Sequence, residues 1–179
     1  MNITVIGSGY VGLITALCFS ARGNNVKCVD IDEKIVSSIN KGYPHIFEEG
    51  LENLLVKQLE TGRFMASSSI SESIINSEIV FIAVGTPSNE KGEINLKYIK
   101  DVSKAIGKLL SKIENNISIV VKSTVLPTTT DTLVRSIIER ESGKSLQEFG
   151  LGMNPEFLRE GSAINDFMYP DRIVMGYED

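Results

Sequence analysis

The chain has 179 residues, of which 42% are apolar and 23% charged, and a formal net charge of −5. That length suits one domain, able to bury about 70% of its extended surface without a metal or disulfide staple, and the composition excludes disorder. The longest fully apolar run, Ile79–Val84, is too short to span a bilayer, and no basic cluster marks a surface for nucleic acid or anionic lipid.

The elements alternate along the chain. Asn2–Ile6 reads as a short β-branched strand that opens directly onto glycines. Val11, Leu13, Ile14, Leu17 and Ala21 then recur at helical spacing until Gly23. No Lys or Arg precedes this apolar helix, so it lacks the charged leading region of a signal peptide, and a cytoplasmic setting is expected. Val26–Val29 reads as the second strand. Cys18 and Cys28 fall in this first unit without metal-ligand spacing and read as two buried thiols. Asp32 can cap a helix carrying Ile35, Val36 and Ile39. After a loop with Pro44 and the lone histidine His45, read as solvent-facing, Glu48 and Glu49 stand at the start of a helix faced by Leu51, Leu54, Leu55 and Leu59. A strand near Arg63–Ala66 and a small helix near Ser71–Ile75 follow. Ile79–Val84 is a continuous strand buried on both faces. Leu96, Ile99, Val102, Ile106, Leu109, Leu110 and Ile113 fit one long amphipathic helix. Ile117–Val121 is another buried strand, and Pro127 is expected to start a helix lined by Leu133, Val134, Ile137 and Ile138. Strands at Gly150–Met153 and Arg172–Met175 complete the pattern. Such alternation predicts an α/β fold: a doubly wound, mainly parallel sheet with helices on both faces, in one domain over residues 1–179.

The first strand runs into Gly7-Ser8-Gly9-Tyr10-Val11-Gly12, with a helix after it. A GxGxxG in that context is the dinucleotide fingerprint: Gly7 for the tight turn, Gly9 for approach of a pyrophosphate, Gly12 for close packing of helix on strand. The amides of Tyr10, Val11 and Gly12 then face the phosphates. Asp30 ends the second strand eighteen residues beyond Gly12, near the spacing of the acid that binds the adenosine ribose. A carboxylate there repels a 2′-phosphate, which favours NAD over NADP. FAD proteins and some methyltransferases use similar turns, so the glycines alone do not choose the cofactor.

Ligands of open parallel sheets bind beyond the carboxyl ends of the strands. Three more loops fall at such ends: Gly85-Thr86-Pro87, Lys122 to Pro127, and Asn154 to Gly161. Singly, each reads as capping hydroxyls, strand-ending prolines or solvated charge. Opening on the same edge as the glycine turn, they read as one site.

Taken in order, GSGYVGL at Gly7–Leu13, VGTP at Val84–Pro87, STVLP at Ser123–Pro127 and NPEFLREG at Asn154–Gly161 resemble the UDP-glucose/GDP-mannose 6-dehydrogenase family over essentially the whole chain. Pro170–Val174 is similar to its UDP-glucose members. The resemblance implies the family's N-terminal NAD-binding domain. It further implies two-step, NAD-dependent oxidation of a nucleotide sugar, UDP-glucose to UDP-glucuronate, through a cysteine-bound thiohemiacetal and thioester. By motif, Asp30 would hold the adenosine ribose, Thr86 would line the cofactor channel, and Thr124 would bond the nicotinamide end or the hydrolytic water. Glu156 would assist hydrolysis, and Glu160 would touch both water and cofactor. Phe157 and Leu158, with Arg159 beside them, would edge the sugar pocket. On a helical turn, carboxylates four apart would share a face. Ile35 stands where the family commonly has a basic residue, leaving Lys34 as the candidate for the cofactor phosphates.

The family's nucleophilic cysteine and catalytic lysine belong to a region beyond the motifs present, as do its substrate-binding and dimerisation domains. The chain is therefore expected to bind NAD without turning over alone, and to act as a homodimer when full length, supplying polysaccharide biosynthesis. GDP-mannose is the alternative substrate, suited by VGTPS, STVLP and the Gly143-Lys144 region. A non-catalytic NAD-binding regulatory module is the alternative of a different class.

Overall fold

The computed structural model describes residues 1–177. Its strands are β1 (Asn2–Ile6), β2 (Asn25–Val29), β3 (Phe64–Ser67), β4 (Ile79–Ile82), β5 (Ser118–Val121), β6 (Gly150–Met153) and β7 (Gly176–Tyr177). They form one sheet in the order β3-β2-β1-β4-β5-β6-β7, parallel throughout except for β7, which runs antiparallel to β6. The strand order reverses between β1 and β4, which creates the crevice where ligands of such sheets bind.

Side chains alternate across the pleat and so feed two cores. Val5, Cys28, Phe81 and Val120 pack with Leu13, Ile14 and Leu17 of α1 (Tyr10–Ala21) and with Leu51 and Leu55 of α3 (Leu51–Glu60). Their neighbours Ile6, Val29, Val80, Ile82, Ile119 and Val121 face the opposite way. They meet Ile99, Val102, Ile106 and Leu110 of α5 (Lys97–Leu110) and Ile138 of α6 (Arg135–Ser142). This agrees with the two-faced burial expected of the continuous apolar runs. Residues 12–18 of α1 are all buried, because both the sheet and α3 cover it. Between these helices lie α2 (Glu33–Asn40) and α4 (Ile70–Ile74), and α7 (Ala163–Met168) stands between β6 and β7 in the chain. Asp32 caps α2 as expected, accepting from the Lys34 amide at 2.8 Å.

Three local expectations are corrected. Pro127 does not start a helix: Thr128 sits at φ +70, and a π-helical stretch over Thr129–Val134 precedes α6. The β-branched threonine run there disfavours a regular first turn, and the Thr132 hydroxyl bonds back to the Thr128 carbonyl. The last strand is Gly176–Tyr177 rather than Arg172–Met175, because the Val174 carbonyl is taken by the Asn154 side chain at 2.8 Å and Arg172 stacks over the Phe157 ring at 5.2 Å. β4 ends at Ile82 instead of continuing to Val84, since the Ile82 carbonyl turns to the amides of Lys122 and Ser123.

Candidate functional site

The register lines up the strand ends. Val29, Ile6, Ile82, Val121 and Met153 stand side by side across the sheet, so the segments that follow them leave from one edge. The glycine turn, Thr86, Thr124 and the segment starting at Asn154 therefore border a single crevice.

Within the turn, Gly7 has φ +103, and a Cβ there would lie 2.5 Å from the Ala83 carbonyl oxygen. A Cβ on Gly12 would lie 1.9 Å from the Gly7 carbonyl oxygen, so this glycine serves the approach of helix to turn more than of helix to strand. Gly9 differs: a Cβ there would meet nothing within 4 Å. The start of α1 has no side-chain cap and no acidic residue in its first turn. The amides of Tyr10, Val11 and Gly12 thus present an uncompensated positive helix end to open space, a fit for a pyrophosphate worth about 0.3–1 kcal/mol per charge from the dipole alone.

Asp30 is anchored rather than loose. Its Oδ2 accepts the Ser8 amide at 3.1 Å and also the Ser8 hydroxyl, and its Oδ1 accepts the Asp32 amide at 3.0 Å. Burial would raise the Asp30 carboxyl, but the Asp32 amide, the two Ser8 donors and nearby His45 outweigh it and hold it below the ordinary aspartate range. Its remaining lone pairs can accept ribose hydroxyls. His45 is exposed, as read from the sequence, while the structure adds its proximity to Asp30. Lys34 is exposed on α2.

The middle loops are cross-braced. The Thr86 hydroxyl donates to the Thr124 carbonyl at 2.9 Å, and the Ser123 hydroxyl donates to the Val84 carbonyl at 2.6 Å. Thr124 itself is exposed at the rim. Just before it, Lys122 is only 5% exposed and donates from Nζ to Asn154 Oδ1 at 3.0 Å. Desolvation pulls the Lys122 ammonium below its ordinary range, and attraction from Glu156 opposes that pull. A buried ammonium is therefore held on Asn154, near enough to the Glu156 carboxylate for the two charges to interact.

Glu156 and Glu160 do not share a helical face, because residues 154–160 form no helix. Pro155 lacks an N–H, and the amides that a helix would use go to side chains instead. Glu156 accepts the Leu158 amide at 2.6 Å, Asp166 accepts the Arg159 amide at 3.0 Å, and Glu48 accepts the Gly161 amide at 2.8 Å. Glu156 is half-buried and Glu160 exposed. Leu158 packs against the first core cluster, and Phe157 remains 50% exposed beneath Arg172. Arg159 forks onto Asp166 of α7 at 2.7 and 3.1 Å, which raises the guanidinium and drives the aspartate far below its ordinary range.

Two participants carry no sequence signal. Ser8 is an unspecified position of the glycine motif, yet it fixes Asp30. Glu48 is not a charge at the start of α3: its carboxylate is 5% exposed and turns away to Tyr10 and to the N-terminal end of α7. Nothing local separates it from the exposed Glu49. Cys18 and Cys28 are buried in the core, where desolvation pushes the Cys18 thiol up to about 12 and Cys28 higher, as inert thiols require.

An uncapped helix start behind a glycine turn, with a braced acid at the end of the neighbouring strand, defines a dinucleotide-binding domain. Residues 1–179 match the NAD binding domain of the UDP-glucose/GDP-mannose dehydrogenase family, and the chain belongs to that family, with NAD as its cofactor. It is 44% identical to a UDP-glucose 6-dehydrogenase of Rickettsia felis, over 98% of this chain and 38% of the relative. It is 42% identical to a GDP-mannose 6-dehydrogenase of Pseudomonas aeruginosa, over 100% of this chain and 41% of the relative. A solved ternary complex of GDP-mannose dehydrogenase from the same species superposes with a TM-score of 0.98, over 100% of this chain and 41% of that one. The chain thus spans about two-fifths of the length of these relatives.

Proposed function

We propose that the full-length protein carrying this chain oxidises the C6 alcohol of UDP-glucose to the carboxylate of UDP-glucuronate in two NAD-dependent steps. The observation that carries this reading is the shared crevice, with the uncapped amides and Asp30 at one end and Lys122, Asn154 and Glu156 at the other. Bound NAD supplies the hydride acceptor. The amides of Tyr10, Val11 and Gly12 hold its pyrophosphate, Asp30 binds the adenosine ribose, and Thr86 lines the channel toward the nicotinamide. Lys34, exposed on α2, is the candidate contact for its phosphates. Thr124 offers a hydroxyl to the nicotinamide end or to water. Glu156 takes the proton of the water that attacks the thioester, and Glu160 orients that water beside the cofactor. The backbone of Phe157 and Leu158 edges the sugar, with Arg159 held alongside by Asp166.

The cysteine that carries the thioester and the catalytic lysine lie in a further segment, so this chain alone binds NAD without sustained turnover. The whole enzyme works as a cytoplasmic homodimer supplying polysaccharide precursors. The Pro170–Val174 segment, whose Arg172 covers Phe157 at the pocket edge, favours UDP-glucose. GDP-mannose is the second reading, favoured by the comparable identity to relatives of that name.

The test is NADH formation by the full-length protein with each nucleotide sugar. The proposal expects two NADH per UDP-glucose and a kcat/KM at least about tenfold above that for GDP-mannose. The reverse preference selects the second reading. No NADH from either leaves a non-catalytic NAD-binding module.

A further inference from the structure

Glu48 lies in the connection between α2 and α3, outside every loop credited with cofactor or sugar, yet its carboxylate is withdrawn from water. A carboxylate tolerates that only when donors fill its oxygens. Here they come from two distant places. The Tyr10 hydroxyl and the Gly161 amide both donate to Oε2, and the Ala163 amide donates to Oε1 at 2.8 Å. Burial would push the Glu48 carboxyl up, but these donors, with the Ile164 amide, outweigh it and keep it low.

The partners give this arrangement its meaning. Tyr10 opens α1, whose amides face the pyrophosphate, and Gly161 directly follows Glu160. A cap for α7 would need only the amides of Gly161 and Ala163. The Tyr10 bond is additional, and burial together with the bond and charge of Glu48 pushes the phenol up to about 12. One side chain thereby ties the cofactor turn to the carboxylate segment across sequence separations of 38 and 113 residues.

We infer that Glu48 is a positioning residue: through the Tyr10 hydroxyl and the Gly161 amide it holds Glu160 in register with the cofactor turn, coupling NAD binding to placement of the carboxylate segment. The inference rests on the proposed function for the role of Glu160, whereas the coupling itself does not need turnover.

The test uses the full-length protein. Turnover of the wild type with nucleotide sugar and NAD checks the underlying function by itself. Hydrogen exchange at the amides of Gly161, Ala163 and Ile164, with and without NAD, then reads the coupling independently. NAD is expected to slow exchange there about threefold or more in the wild type and to have no such effect in Tyr10→Phe, which keeps the ring and the fold. In turnover, Glu48→Gln is expected to lose about tenfold in kcat with the NAD Kd changed by less than about threefold. The double variant should lose no more than Glu48→Gln alone. Equal slowing of exchange in wild type and Tyr10→Phe, or no slowing in the wild type, overturns the inference. So does a Glu48→Gln protein that melts lower but turns over normally. If Glu48→Gln does not fold, the exchange comparison with Tyr10→Phe decides.

Discussion

Replacing Gly9 and Gly12 singly by alanine separates binding from folding, because the two added methyl groups would meet different surroundings. At Gly12 the Cβ would stand 1.9 Å from the Gly7 carbonyl oxygen and 3.3 Å from the Ala83 Cβ. Real contacts of this kind stay above 3.0 Å, so the helix start or the turn must retreat by about 1 Å. Overpacking against backbone on that scale costs about 3 kcal/mol, and in a chain of this length lowers Tm by about 6–12 °C. At Gly9 the backbone has φ −60 and ψ −175, which any L-residue adopts, and the Cβ meets nothing within 4 Å. Alanine there restricts the unfolded chain and should stabilise by about 0.4–1 kcal/mol, raising Tm by about 1–4 °C. The same methyl occupies the space over the amides of residues 10–12, so NADH affinity should fall about 30-fold, or about 2 kcal/mol, as charge-assisted bonds lengthen. Circular dichroism melts and calorimetric NADH titration of both variants read the two effects. A Gly9→Ala protein that binds NADH within about threefold of wild type would refute the reasoning.

Further outcomes follow from the charged groups. Asp30→Ala should weaken NAD binding by about 10- to 100-fold while weakening NADP less, because charge-assisted bonds to the ribose go and repulsion of a 2′-phosphate goes with them; the ratio of the two Kd values checks this. Lys122→Met removes the buried ammonium that faces Asn154 and Glu156, and should lower kcat of the full-length enzyme about tenfold with little change in the NAD Kd. Glu48 and Asp166 are both held below the ordinary carboxylate range in the folded protein. A depressed folded pKa contributes stability that is fully present above the unfolded value, about 4, and is lost as pH falls through the folded value. Tm should therefore drop from about pH 6 to about pH 3, and less steeply in Glu48→Gln and Asp166→Asn. Parallel slopes in wild type and variants would contradict those assignments.

The parts legible in the sequence are those set by local periodicity and by topology. Runs such as Ile79–Ile82 and Ile119–Val121 are apolar on both faces because helices cover both, and such runs alternating with helices along the chain imply a parallel sheet. The glycine turn and Asp30 are recognisable because a short βαβ unit brings them together at a fixed spacing. What escaped is non-local. Residues 154–161 carry helix-compatible spacing, yet the amides of Leu158, Arg159 and Gly161 find acceptors on Glu156, Asp166 and Glu48 rather than on carbonyls four back. The acceptor on Glu48 lies 113 residues from its donor, and no local signal marks it. Lys122 reads as a loop residue after a strand, while in the fold it is buried against Asn154. Arg172–Val174 has strand composition, but Asn154 and Phe157 claim its carbonyl and its guanidinium first.

The most direct test of the central claim is a crystal structure of the protein with NADH bound. Binding of the dinucleotide at the glycine turn requires pyrophosphate oxygens within hydrogen-bond distance of the Tyr10, Val11 and Gly12 amides, with the adenosine ribose hydroxyls on Asp30. Coenzyme density in any other place, with those amides facing solvent, would contradict it.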